Sequence, residues 1–266
     1  MPSAPAKAGD LASSWATAKP ETKSRLVAGE AGGKPLAGIE ITLAPGWKTY
    51  WKFPGDSGGI PPLFDWSASV NVKSVAVTLP VPLRMKDRTG DILGYSDATV
   101  FPVVVEPVDA SKPIGLKLSM EYGVCREVCI PVDATHAVEI PATGRPAIPA
   151  ALVGALDRVP RLADTRKPED PKLLRTEVKL DGDKPWLAIE AEFPGGTDAA
   201  DAYVVSPNGY YIPLPKPGSA KPIGANTLRF EIDLTGAVEP ADIRGKSASV
   251  TLVSARGHSE AMFKFE

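Results

Sequence analysis

The sequence predicts an all-β protein of two β-sandwich domains joined by a proline-rich connector. Three observations carry this. Proline (28) and glycine (24) punctuate the 266 residues so often that long helices have no room. Short runs of apolar–polar alternation recur along the chain, separated by turns rich in Gly, Pro, Asp and Asn. The runs stop at a proline-dense stretch and resume beyond it.

Taken in order, residues 1–24 are rich in Ala, Ser, Lys and Pro and read as a loose lead-in. Strand patterns begin at Lys23–Ala28. In Leu36–Leu43, Ile39, Ile41 and Leu43 alternate with Glu40 and Thr42, as in a half-buried strand. After the turn at Ala44-Pro-Gly-Trp comes the aromatic segment Lys48–Phe53, then the loop Pro54–Pro62. Further strand-like runs lie at Leu63–Trp66, Val72–Leu79, Val100–Val105, Leu116–Tyr122 and His136–Ile140, the rhythm of a sandwich or barrel. The first domain is therefore placed at 25–140.

Pro141, Pro146, Pro149, Pro160, Pro168 and Pro171 mark residues 141–172 as the connector, with a short helix expected near Ala150–Val159. The second domain, 173–266, offers seven candidate strands: Lys172–Leu180, Trp186–Phe193, Ala202–Ser206, Tyr210–Leu214, Thr227–Leu234, Ala248–Ser254 and Ala261–Phe265. It carries no separate chemistry and reads as a docking or spacer domain. Tyr203, Tyr210 and Tyr211 read as core or surface aromatics, and Asp181-Gly-Asp183 as a hairpin turn.

Composition excludes several functions. With 30 basic and 32 acidic residues the net charge is −2, which leaves no footprint for nucleic acid or an anionic membrane. No apolar run approaches the ~20 residues of a membrane span, so direct membrane insertion of this chain is not expected. The start, Met1–Lys7, has no apolar stretch of signal-peptide type. That fits a cytoplasmic protein, or a secreted chain whose signal was removed and replaced by a start methionine. Pro54-Gly-Asp-Ser-Gly-Gly lacks the Lys-Ser/Thr of a phosphate loop and has no histidine nearby to activate Ser57, so it reads as a turn.

The two cysteines, Cys125 and Cys129, are the pair with chemistry. On an extended strand their Cα atoms would lie about 13 Å apart, at ~3.3 Å per residue. A disulfide requires roughly 4.4–6.8 Å, so bridging demands that Arg126-Glu127-Val128 turn back as a tight turn or one helical turn. So short a loop restrains few unfolded conformations, which favours reactivity over scaffolding. Arg126 favours a thiolate and Glu127 opposes it. Three readings stay open: a structural disulfide, a redox pair, and a metal pair. Zinc lacks ligands, since His136 and His258 are the only histidines and His136 reads as a sheet residue. Soft Cu(I) suits two thiolates, with Met120 a candidate third ligand or, from its place in an alternating strand, a core residue.

Four landmarks carry a resemblance over Leu36–Pro141: Pro45-Gly-Trp-Lys-Thr-Tyr-Trp; Pro54-Gly-Asp-Ser-Gly; Gly94-Tyr95 with Val100-Phe101-Pro102; and Tyr122-Gly-Val-Cys-Arg-Glu-Val-Cys-Ile-Pro. In this order and spacing they resemble the N-terminal periplasmic domain of the DsbD/ScsB thiol:disulfide interchange family, ScsB (suppressor of copper sensitivity) more than DsbD. The resemblance implies an immunoglobulin-like fold, so the expectation becomes two immunoglobulin-like β-sandwich domains. It also implies a protein-disulfide reductase component in the periplasm, its signal peptide removed, with a link to copper tolerance. Cys125 and Cys129 would pass electrons between a membrane-embedded donor domain and thioredoxin-like periplasmic proteins, with no cofactor. By the same resemblance Cys129 is the sulfur that partners engage. A cap loop matches Asp91, Ile92, Leu93, Gly94 and Tyr95, with Leu93 standing where the family has an aromatic before glycine. Ile92 and Leu93 are expected to shield the pair, and Tyr50 and Trp51 match aromatics near the active site. The chain would be the soluble portion of a larger protein, or a stand-alone relative.

Overall fold

The computed structural model describes residues 11–206 and 209–266; the first ten residues of the expected lead-in lie outside them. The chain divides into two compact units, one ending at Val159 and the other running from Pro160 to Glu266.

The first unit contains β1 (Leu11–Ala12), β2 (Ala16–Lys19), β3 (Thr22–Ala31), β4 (Lys34–Leu43), β5 (Lys48–Gly55), β6 (Leu63–Asp65), β7 (Val72–Val77), β8 (Leu83–Lys86), β9 (Asp91–Ser96), β10 (Ala98–Pro107), β11 (Ile114–Cys125) and β12 (Cys129–Ile140), then helix α1 (Ala150–Asp157). One antiparallel sheet has the order β1-β3-β4-β10-β7, with β2 also on β3. The other has the order β12-β11-β5-β9-β8, with β6 on β11. Alternation sets their facing sides. In β11, Leu116, Leu118, Met120, Tyr122 and Val124 are buried while Lys117, Ser119 and Glu121 are exposed. Tyr95 and Phe64 of one sheet pack on Phe101 of the other, with ring centroids 5.3 and 6.2 Å away. Two hydrogen bonds also cross the core, between the Thr22 and Tyr122 hydroxyls (3.0 Å) and between Ser24 Oγ and His136 Nε2 (3.0 Å). Burial lowers the His136 pKa, so the ring is neutral at pH 7 and serves as a satisfied core residue.

The second unit contains β13 (Lys172–Lys179), β14 (Trp186–Glu192), β15 (Asp201–Val205), β16 (Lys221–Pro222), β17 (Thr227–Asp233), α2 (Pro240–Ile243), β18 (Ser247–Val253) and β19 (His258–Lys264). A sheet β13-β14-β17-β16 and a sheet β15-β18-β19 enclose one core that includes Ile189, Phe193, Phe230, Val250 and Phe265. The architecture is all-β and immunoglobulin-like, with two short helices among the described residues.

The structure differs from the sequence expectation in four places, each for a local reason. Residues 11–24 are not loose: they carry β1, β2 and the start of β3. Ser13 exchanges backbone N–H (2.8 Å) and side-chain (2.9 Å) hydrogen bonds with Leu26, and Lys23 and Arg25 both lie over the Trp15 ring. Residues 141–159 do not run free as a connector but pack on the first unit. Leu152 and Ala155 of α1 join Val27 and Val100 in a buried cluster, and Glu30 N donates to Pro146 O at 2.8 Å. Tyr210–Leu214 forms no strand. Pro213 and Pro215 lack the N–H that a ladder needs, yet Ile212 and Leu214 are still buried; Lys221–Pro222 supplies the extra pairing instead. Finally, the segment expected as a cap loop is a strand, β9, held between β5 and β8, with a register shift against β5 between Tyr50 and Gly55.

The second unit is tied at its entrance by a buried carboxylate. Asp170 Oδ1 accepts from Arg161 Nη1 at 2.9 Å and from His258 N at 3.2 Å, while Oδ2 accepts from Lys167 N at 2.7 Å. Its side chain is fully buried. Removing one partner of a buried pair leaves the other charge uncompensated. Asp170→Ala is expected to destabilise this unit by about 3 kcal/mol, read as a lower urea midpoint with unchanged slope.

Candidate functional site

The β11–β12 ladder runs from Ile114↔Ile140 to its last rung, Cys125↔Cys129. The two Cα atoms there are 4.1 Å apart and the sulfurs are bonded to each other. That separation is close to the ~4.5 Å of a non-hydrogen-bonded antiparallel pair, where facing side chains approach most closely. Arg126-Glu127-Val128 closes the hairpin as a tight turn, with Arg126 N to Val128 O at 3.5 Å.

Opposed residues in antiparallel strands share a face. Cys125 opposes Lys48, Tyr50 opposes Gly94, and Met85 opposes Ile92. These side chains therefore lie on the outer face of the sheet, away from the sandwich core, and local structure covers them. Tyr50, Ile92 and Cys125 form a separate buried cluster with Met85 against it. Cover is uneven: Cys125 is 5% exposed, whereas Cys129 is open to solvent beside Val128, itself 71% exposed.

Tyr50 is the polar contact of the pair. Its hydroxyl donates to Cys129 Sγ at 2.9 Å, since a bonded sulfur has no proton to give. Burial chiefly, and the charge of Asp87 secondarily, raise its pKa, so it remains a donor at neutral pH. Two glycines seat the ring. A Cβ at Gly59 would overlap it, and one at Gly123 would lie 3.2 Å from Tyr50 Cδ2 and 2.7 Å from Ile60 Cβ. Gly123 N also donates to Ile60 O at 3.1 Å. The Gly-rich loop after β5 is thus a wall of the Tyr50 pocket, a role that motif reading of Pro54–Gly59 does not show.

The expected site residues divide by strand alternation. Ile92 touches the cysteine cluster, but Leu93, expected to shield the pair with it, is turned to the opposite face and fully buried in the core. Tyr95 likewise faces the core, packing on Phe101 and donating to Pro80 O at 2.6 Å. Asp91 pairs with Arg84 Nε at 2.7 Å, and Gly94 pairs with Tyr50 in the ladder. Trp51, next to Tyr50, is fully buried but is not part of the cysteine cluster. Met120 differs from Cys125 by an odd number of positions in β11 and faces the core, so it adds no third ligand to a two-sulfur copper site. Among the described residues no group of three or more His, Cys, Asp or Glu side chains is placed to hold a metal ion.

Sequence reasoning missed Lys48, Asp87, Gly59 and Gly123. Lys48 Nζ lies 2.5 Å from Asp87 Oδ2 beside the disulfide, and this hydrogen bond, with one from Arg88 N, holds the Asp87 carboxyl below its usual pKa. The signal available in the sequence was the alternation Lys48, Tyr50 opposite a strand ending in Cys125, readable only once β5 is known to pair with β11.

Fold and site define a β-sandwich domain carrying a half-exposed disulfide at a hairpin tip. Residues 17–139 match the family described as thiol:disulfide interchange protein DsbD, N-terminal. The chain is also similar in fold to the crystal structure of the N-terminal periplasmic domain of ScsB from Proteus mirabilis. The two share 22% identity with a TM-score of 0.70, over 96% of this chain and 98% of that one. No curated protein matches this chain. No helix among the described residues is long and apolar enough to cross a membrane.

Alternation generates a sharp test of the cover over Cys125. In the reduced protein, Ile92→Ala should speed alkylation by a small haloacetamide. Leu93→Ala should leave that rate near wild type in the folded state, and cost about 2–5 kcal/mol of stability instead.

Proposed function

We propose that the first unit exchanges electrons with dithiol proteins through Cys125 and Cys129, passing them between a membrane-embedded donor domain and thioredoxin-like proteins of the periplasm. The observation that carries this reading is the unequal exposure of two bonded sulfurs: Cys129 open, Cys125 covered. In this scheme an incoming thiolate attacks the exposed Cys129 Sγ. Cys125 is then the leaving sulfur. Attack gives a mixed disulfide between the partner and Cys129, and the partner's second thiolate resolves it, leaving this domain with two thiols. Running the same steps backwards reduces an oxidised client.

The family match over residues 17–139 and the likeness to a periplasmic domain support the compartment and the partner class. The hairpin geometry supports reactivity over scaffolding. A bridge spanning a separation of only four residues adds little to a ladder that already holds the strands, so stability alone gives little reason for it. In this scheme Tyr50 keeps a hydrogen bond on Cys129 in the oxidised form and meets the same sulfur as it is released.

Two variants test the assignment. Cys125→Ser, with Cys129 as its lone thiol, should form a stable mixed disulfide with a thioredoxin-like protein whose second active-site cysteine is replaced by Ser and whose first carries a thionitrobenzoate leaving group. Cys129→Ser should form it about tenfold more slowly or less, because access limits exchange. Absence of any mixed disulfide, together with a wild-type disulfide that dithiol reductants leave intact, would overturn the reading.

A further inference from the structure

An ion pair adjoins the disulfide without touching the exposed sulfur. Lys48 of β5 stands directly opposite Cys125 in the ladder, so both side chains rise from the same face with Cβ atoms about 4.5–5.5 Å apart. Lys48 is only 13% exposed at its side chain, and its ammonium is fixed on Asp87 Oδ2 at 2.5 Å. Asp87 sits in the turn between β8 and β9, the hairpin whose Ile92 and Met85 cover Cys125. A second bond, from Arg88 N to Asp87 Oδ1 at 2.5 Å, steadies the carboxylate.

The other ionisable groups around Cys125 can be named. β5 contributes Tyr50, hydrogen-bonded to Cys129. The hairpin loop contributes Arg126 and Glu127, both exposed, with the Arg126 side chain lying along Gly46. β12 contributes Cys129 itself, while β9 and β8 present Ile92 and Met85 to the cluster. Lys48 is thus the half-buried cation opposite the covered sulfur, and Asp87 the anion that holds it.

We propose that Lys48 and Asp87 form a charge-setting pair for Cys125, Lys48 stabilising the thiolate released there and Asp87 moderating that effect. The proposal rests on the redox reading for its purpose. In the step concerned, a partner thiolate attacks Cys129 Sγ, a partner–Cys129 bond forms, and the Cys125–Cys129 bond breaks. Its electron pair departs on Cys125 Sγ as a thiolate. That anion is generated in a covered site, where desolvation disfavours charge. The rate of exchange rises as the leaving thiol's pKa falls. An ammonium on the same face lowers that pKa; a carboxylate bound to the ammonium offsets part of the gain. Lys48 acts on the leaving sulfur through its charge and is a positioning residue in this scheme.

The experiment needs no partner protein, so its outcome is separate from that of the trapping test. In a Cys129→Ser background Cys125 is the lone thiol. Its ionisation is read from the pH dependence of thiolate ultraviolet absorbance and of alkylation rate. Adding Lys48→Met should raise the midpoint enough to cut the thiolate fraction about tenfold at a pH below it, by loss of an opposite charge at this range. Asp87→Asn should move the midpoint down, and Lys48→Arg should restore it towards that of the parent. Midpoints unmoved in Lys48→Met, or moved in the same direction by both substitutions, would overturn the proposal. Should Lys48→Met fail to fold, Asp87→Asn decides alone: a fall supports the pair, and no change or a rise refutes it.

Discussion

The site depends on one constraint, the close approach of two Cβ atoms on the terminal rung of a long antiparallel hairpin. β11 and β12 are paired through twelve rungs, from Ile114↔Ile140 to Cys125↔Cys129. That ladder, rather than the disulfide, brings the sulfurs together. Because side chains alternate with period two, the same register that buries Tyr122 and Val124 in the sandwich puts Gly123 and Cys125 on the outer face. A slip of one residue would send the cysteines into the core and Tyr122 to solvent. Everything around the pair follows from that outward placement, since a covered sulfur on the outer face needs its own local lid.

The lid comes from three neighbouring pieces. Tyr50 on β5, Ile92 on β9 and Met85 on β8 converge over Cys125, and the Gly59–Ile60 loop leans on the Tyr50 ring. None covers Cys129 fully. The asymmetry between the two sulfurs is therefore a product of sheet order: Cys125 lies on β11 beside β5, whereas Cys129 starts β12, the edge strand.

Much of this was legible in the sequence. Alternation in Leu36–Leu43 and Leu116–Tyr122 marked β4 and β11, and the disulfide distance limit predicted a turn at Arg126-Glu127-Val128. Less was legible where tertiary contacts override local pattern. β9 gives no strand signal because Ile92, Leu93 and Tyr95 do not alternate with polar residues; both of its faces are covered, so the alternation of a half-buried strand is absent, and the loop expectation rested on the resemblance alone. For the same reason Ile92 and Leu93 look equivalent in sequence but serve different interiors. Residues 11–24 look loose because their order comes from contacts with Leu26 and Arg25 of β3 rather than from their own propensities. Lys48 looks like an ordinary surface charge until pairing sets it opposite Cys125.

The loop of Arg126, Glu127 and Val128 has a consequence for how the domain changes state. Eleven further rungs hold β11 against β12 whether or not the sulfurs are joined. Breaking the bond releases almost no chain, so the two thiols stay neighbours at very high effective molarity. Oxidation and reduction are then local events on a rigid frame. The frame can change oxidation state at the hairpin tip without refolding.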